Sequence, residues 1–237
     1  MPGSLQSLIS TLGIAAALYV VALAFYRRTF FNYFPLNFYM LSLGLAGLGR
    51  RAFLYWYGFK SPEYAYFYYY SDMLLTVVLY FAILSLYQHV FAEMRVSRYI
   101  RVGGTVLLGL TAGVSYMMIH QNAHNMTKPF VVELSQNLYF VGVVLTYVLW
   151  GAVAQLRETR TRIVQLVLSL GVFFSAHAAF YAAWHMFPNT VVWLGGVMTL
   201  LGIALPVSWA YTFTMVPEGA RLETARVLPS RVATSQQ

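Results

Sequence analysis

Residues 62–91 read PEYAYFYYYSDMLLTVVLYFAILSLYQHVF, and this stretch decides the fold. After Glu63 its only acid is Asp72, and it contains no lysine or arginine. A helix crosses the hydrocarbon core of a bilayer with about 20 mostly apolar residues, so this run is long enough to span, to tilt and to project beyond the membrane. Working outward, six further apolar segments of spanning length follow the same reading: about residues 5–26, 33–57, 100–121, 131–156, 162–187 and 190–216. Pro35 suits the first turn of the second, and Pro188 and Pro217 punctuate the last two. The sequence therefore predicts an all-α integral membrane protein, a bundle of seven transmembrane helices over residues 1–216, followed by a short tail at 217–237.

Composition agrees. Of the 237 residues, 59% are hydrophobic and 9% charged, where a soluble domain carries about a quarter charged residues. The mean hydropathy of +0.63 exceeds what one domain of this length can hide inside itself, so the lipid bilayer is the expected partner. The net charge of +8 does not point to nucleic acid, because the basic residues form short clusters between apolar runs and no contiguous footprint. With no cysteine, disulfides, thiolate metal sites and cysteine nucleophiles are excluded.

Those basic clusters set the expected orientation. With the N-terminus outside, eleven of the fifteen basic residues fall in cytoplasmic segments: Arg27, Arg28, Arg95, Arg98, Arg101, Arg157, Arg160, Arg162, Arg221, Arg226 and Arg231. The opposite side receives only Lys60 and Lys128, and the positive-inside rule then places the C-terminus in the cytoplasm. Six spans with one re-entrant segment would put the C-terminal arginines outside, against the same rule. Residues 1–10 carry no positive charge, so the first helix is expected to stay rather than be cleaved. In the tail, Glu218 to Val227 is expected to form one or two turns of interfacial helix before Pro229.

Ionisable residues at membrane depth cost about 2.5 to 3.5 kcal/mol each, so each needs a partner or a purpose. Arg50 and Arg51 lie well inside the second segment, and Asp72 reaches a similar level on the third. One of the arginines is expected to meet Asp72, either to fix helix register or to anchor a site. The other is left to reach headgroups, Glu133, or an anionic ligand. Glu133, Gln136 and Asn137 follow an i, i+3, i+4 spacing and form one polar patch at the expected outer start of the fifth helix. His177, Tyr181, Trp184 and His185 form a stripe on the sixth, read either as hydrogen-bonded packing residues or as a ligand-binding face. The tyrosine run that contains Tyr69 is either an interfacial aromatic belt or the aromatic wall of an entrance above Asp72. His120 and His124 have a metal-compatible i, i+4 spacing but flank a predicted loop, so no metal site is assigned. Gly44, Gly47 and Gly49, the pair Gly109 and Gly113, and Gly195, Gly196 and Gly202 are expected to permit close backbone approach.

Several functions fall away. A retinal Schiff base needs a lysine in the seventh helix, and the only lysines are Lys60 and Lys128. His177 has no partner histidine at matching depth for membrane haem, and no nucleophile, metalloprotease or phosphate-loop motif is present, so neither cofactor nor enzymatic activity is expected. In helix count and polarity the chain resembles the seven-helix sensor modules that precede kinase or cyclase domains in some bacterial signalling proteins, an analogy of architecture without a diagnostic motif. The expected function is a membrane receptor or sensor-like module. Its outward-facing polar and aromatic pocket would be formed by Arg50, Arg51, Asp72, Tyr69, Glu133, Asn137, His177, Tyr181 and His185, would take a small ligand from the outer side, and would act through a cytoplasmic signalling partner. A small transporter, or a structural subunit of a larger membrane complex, is the alternative.

Overall fold

The computed structural model describes residues 4–92, 97–120, 127–156, 160–186, 191–217 and 219–221. Within them the chain forms seven helices: α1 (Ser4–Tyr26), α2 (Phe34–Tyr57), α3 (Pro62–Val90), α4 (Ser97–His120), α5 (Thr127–Gln155), α6 (Thr161–Met186) and α7 (Val191–Met215). The described residues contain no strand, only an isolated bridge between Arg160 and Arg221. Five helices hold apolar stretches long enough to cross a membrane: Ser7–Tyr26, Pro62–Val90, Arg98–Met118, Pro129–Gln155 and Thr161–Ala183. α2, which carries Arg50 and Arg51, is not among them, and the qualifying part of α7, Thr199–Met215, is shorter. Leu8, Leu45, Leu110, Val144, Val148 and Val207 all face outward, a surface that lipid tolerates and water does not. The molecule is a multi-pass α-helical membrane protein.

Local sequence explains the helix ends. Ser61 caps α3 by accepting the Tyr64 N–H at 3.1 Å, Pro62 opens the helix and Glu63 lies in its first turn. α2 stops at Gly58, whose φ of +79° ends the helix without the penalty a Cβ would bring. α1 ends differently: Thr29 N–H reaches the Ala24 carbonyl and Arg28 N–H the Phe25 carbonyl, both at 3.0 Å. This is a Schellman closure with Arg28, at φ +55°, where glycine is the usual residue.

The helices close a ring in the order α1, α2, α3, α5, α6, α7, and α4 lies outside it against α5 and α3. α3 is the central member and also touches α6. Six consecutive residues, Ala82 to Tyr87, are buried, so every face of α3 is covered at that level. Leu79, Ile83, Leu166, Leu170, Phe174 and Trp209 fill the interior around it. Interhelical hydroxyl bonds add specificity: Tyr80 donates to the Gly104 carbonyl of α4 at 2.7 Å, and Tyr87 to the Leu145 carbonyl of α5 at 2.6 Å.

The glycine expectations divide. A Cβ at Gly44 would meet Leu18 at 2.7 Å, one at Gly47 would meet Ile14 at 2.6 Å, and one at Gly49 would meet Phe67 at 2.5 Å, so the α2 glycines do bring α1 and α3 close. Gly109, Gly113 and Gly202 have nothing within 4 Å, which corrects the close approach expected of them. For Gly109 and Gly113 the reason is the placement of α4, whose GxxxG turns away from the bundle, and Gly202 lies on a face of α7 with no neighbour within reach. Gly195 and Gly196 have side-chain environments outside the described residues. The most crowded approach was not anticipated: Gly142 of α5 lies directly under the Phe174 ring of α6.

Candidate functional site

Arg50 meets Asp72. Its Nη2 lies 3.5 Å from Asp72 Oδ1, joining α2 to α3. The same guanidinium donates from Nε to Ser71 Oγ at 2.9 Å and from Nη2 to the Tyr68 carbonyl at 3.3 Å, and it stands 4.3 Å above the centroid of the Tyr68 ring. The pair is a single contact, without bidentate geometry. Its side chains are 22% and 25% exposed, so the charges are sheltered but reachable. The adjacent positions Tyr68, Ser71 and Asp72 follow i, i+3, i+4 on α3, which is why one arginine can engage all three.

Tyr39 on α2, Tyr68 on α3, Tyr139 on α5 and Tyr181 on α6 all lie within electrostatic reach of Asp72. One turn below, the Thr76 hydroxyl donates to the Asp72 carbonyl at 2.9 Å and lies close to Tyr139. Tyr139 in turn stacks on His177, ring centroids 4.9 Å apart, and is 5.5 Å from the Tyr181 ring. Four helices thus contribute to one polar and aromatic cluster. Tyr39 and Tyr139 were not singled out from the sequence, because among 19 tyrosines nothing in their spacing distinguishes them. Tyr39 lies eleven residues before Arg50, about three helical turns, and this shared face is the signal that could have found it.

His177 faces the interior. Its Nδ1 bonds the Phe173 carbonyl at 2.9 Å, and its ring centroid is 4.0 Å from that of Phe173. This is a histidine satisfied by its own helix and by stacking. Tyr69 is on the rim: its ring meets Tyr68 edge-on at 5.7 Å and is partly exposed, as are Tyr66 and Tyr70. His185 and Trp184 lie at the end of α6, with side chains outside the described residues, as are those of the His120 and His124 pair; of the interfacial helical turns expected at 218–227, residues 219–221 form a turn and an isolated bridge instead, and the others lie outside the described residues.

Three expected members do not join the cluster. Arg51 points about 100° away from Arg50 around α2 and is bound to α1, where its Nη2 donates to Thr11 Oγ1 at 2.5 Å and to the Ser7 carbonyl at 3.0 Å. It is not left for Glu133 or for a ligand beside Asp72. Glu133 is not at a helix start either, since α5 begins at Thr127 and places it almost two turns inside. Asn137 Nδ2 donates to Glu133 Oε1 at 3.4 Å and to Ser115 Oγ of α4 at 2.9 Å, and Ser115 donates to Thr111 O at 2.9 Å. Glu133 and Asn137 therefore form an α4–α5 seam on the far side of α5 from His177. No protein-family model, curated protein or solved structure matches this chain.

Proposed function

We propose that this chain is a seven-span membrane receptor or sensor-like module, with its N-terminus outside and its C-terminus in the cytoplasm. Its ligand site is the Arg50–Asp72 pair with the phenols of Tyr39, Tyr68, Tyr139 and Tyr181 around it, and it signals through a cytoplasmic partner. The reading rests on that convergence. A carboxylate and a guanidinium at membrane depth, each about a quarter exposed, offer an entering ligand a donor fork and an acceptor, with the Tyr68 ring beside them and further phenols within electrostatic reach. The small ligand that fits is amphipathic, with a polar head for the pair and an apolar body for the aromatic walls. Below the pair the buried positions of α3 carry no charge: Leu79, Ala82, Ile83 and Leu86 are apolar and Thr76, Tyr80 and Ser85 are neutral, which disfavours a path for a charged substrate through the same site.

A second reading, a structural subunit of a membrane complex, draws support from the fact that Arg50, Arg51 and His177 are all partnered. Water access separates the readings. These 237 residues contain no cysteine, so Ser71→Cys or Thr76→Cys can be labelled with a membrane-impermeant maleimide applied from either face of the membrane. Labelling from the N-terminal face alone is the expected result. Labelling from both faces would indicate a transporter, and a site that never labels would leave the pair as internal bracing.

A further inference from the structure

At the end of the bundle opposite Asp72, two arginines hold the C-terminal carbonyls of α7. Arg27, just past α1, donates from Nη1 to the Phe213 carbonyl at 2.7 Å and from Nη2 to the Thr214 carbonyl at 3.5 Å. Arg162, near the start of α6, donates from Nε and Nη2 to the Val216 carbonyl at 3.2 and 2.6 Å, and its guanidinium lies over the Phe213 ring. The last carbonyls of a helix have no partners within it and carry partial negative charge, so cations belong there. That charge amounts to about half a unit, however, and two full positive charges are gathered against it.

The excess is not neutralised within the described residues. There, no carboxylate lies within ion-pair distance of either arginine, although Arg162 is only 5% exposed. Both arginines line the same cavity of about 180 Å³, together with Thr29, Phe213 and Pro217. Donors remain available: Arg27 Nε, Arg162 Nη1 and the Thr29 hydroxyl have no hydrogen-bond partner among the described residues. The left-handed turn at Arg28 brings Arg27 and Thr29 to the rim of this cavity from either side.

We propose that this cavity binds a phosphate group. A phosphate presents several acceptor oxygens and the negative charge that, among the described residues, the two guanidiniums do not meet, and arginine forks match its geometry. The group can come from the headgroup of an anionic phospholipid, since the cavity lies at the end of a membrane helix bundle, or from a soluble phosphate. The site is separate from the Asp72 cluster and does not depend on the receptor reading.

The test follows thermal unfolding of the full chain in phosphate-free maltoside micelles, titrated with inorganic phosphate in one arm and with short-chain phosphatidylglycerol in the other. Sodium chloride at matched ionic strength serves as the control for screening. A rise in Tm with the lipid alone assigns the site to a headgroup, and a rise with both assigns it to phosphate from either source. Arg27→Gln and Thr29→Ala should weaken the apparent dissociation constant, the arginine change about tenfold, as expected for one charge-assisted bond. Both arginines also cap α7, and the buried Arg162 is the more damaging to replace, so the exposed Arg27 carries the test together with Thr29→Ala, which leaves both caps in place. No rise with either probe, a rise matched by chloride, or a shift undiminished in both Arg27→Gln and Thr29→Ala would overturn the proposal.

Discussion

Arg50 and Arg51 are adjacent, chemically identical and at nearly the same depth, yet the fold gives them different work. Arg50 bridges to α3 through Asp72, Ser71 and Tyr68, whereas Arg51 ties α2 to Ser7 and Thr11 of α1. Because Asp72 is one-quarter exposed and makes one contact at 3.5 Å, Asp72→Asn should cost about 1–3 kcal/mol, less than removal of a fully buried partner. Arg50→Gln combined with it should recover part of that loss, and a double-mutant cycle measured by reversible unfolding in micelles would show no coupling if the pair were incidental. His177→Phe keeps the stacking on Tyr139 and removes only a bond to its own helix, so a cost below about 1 kcal/mol is expected in the same assay. Arg28 holds a left-handed conformation that costs a non-glycine residue about 1–2 kcal/mol. Arg28→Gly should accordingly raise stability by up to about 1 kcal/mol, and a lower Tm in that variant would show that the Arg28 side chain contributes more than its backbone costs.

Among the helices, the contrast between α5 and α4 is the most informative. Gly142 of α5 lies under Phe174, itself fully buried in α6, so neither partner has room to retreat. Gly142→Ala should therefore destabilise by about 1–3 kcal/mol through overpacking. Gly109→Ala on α4 adds a methyl with nothing within 4 Å, and it should be neutral or stabilising by a few tenths of a kcal/mol through helix propensity. Comparing the two unfolding midpoints checks the assignment of the α5–α6 contact. Equal penalties would imply that α4 uses its GxxxG against a surface this chain alone does not supply.

On the scale of the whole molecule, the distribution of arginines makes a further expectation testable. Cytoplasmic reporters fused after Arg28, Arg98, Arg160 or Gln237 should be active, and those fused after Lys60, Lys128 or Pro188 inactive. A reversed or mixed pattern would remove the seven-span, N-outside topology and with it the outward direction of the Asp72 site. The ring of α1, α2, α3, α5, α6 and α7, with α3 also touching α6, places that site where α2, α3, α5 and α6 approach one another, with the proposed phosphate cavity at the other end.

Length and hydropathy alone determined that this is a helical membrane protein, because hydrocarbon demands internally satisfied backbone over about 20 residues and that demand is written locally in each segment. The same depth argument placed Asp72 level with Arg50 and Arg51, since helical rise is uniform along the chain. Only the tertiary structure decided which arginine takes the aspartate, because that depends on the rotation of α2 about its own axis between α1 and α3. Placement of α4 outside the ring likewise removed Glu133 and Asn137 from the site, and α5 packing directly on α3 brought Tyr139 into it. A sequence specifies the depth of each side chain through the helical rise, but the azimuth at which it points is set by which neighbours its helix meets.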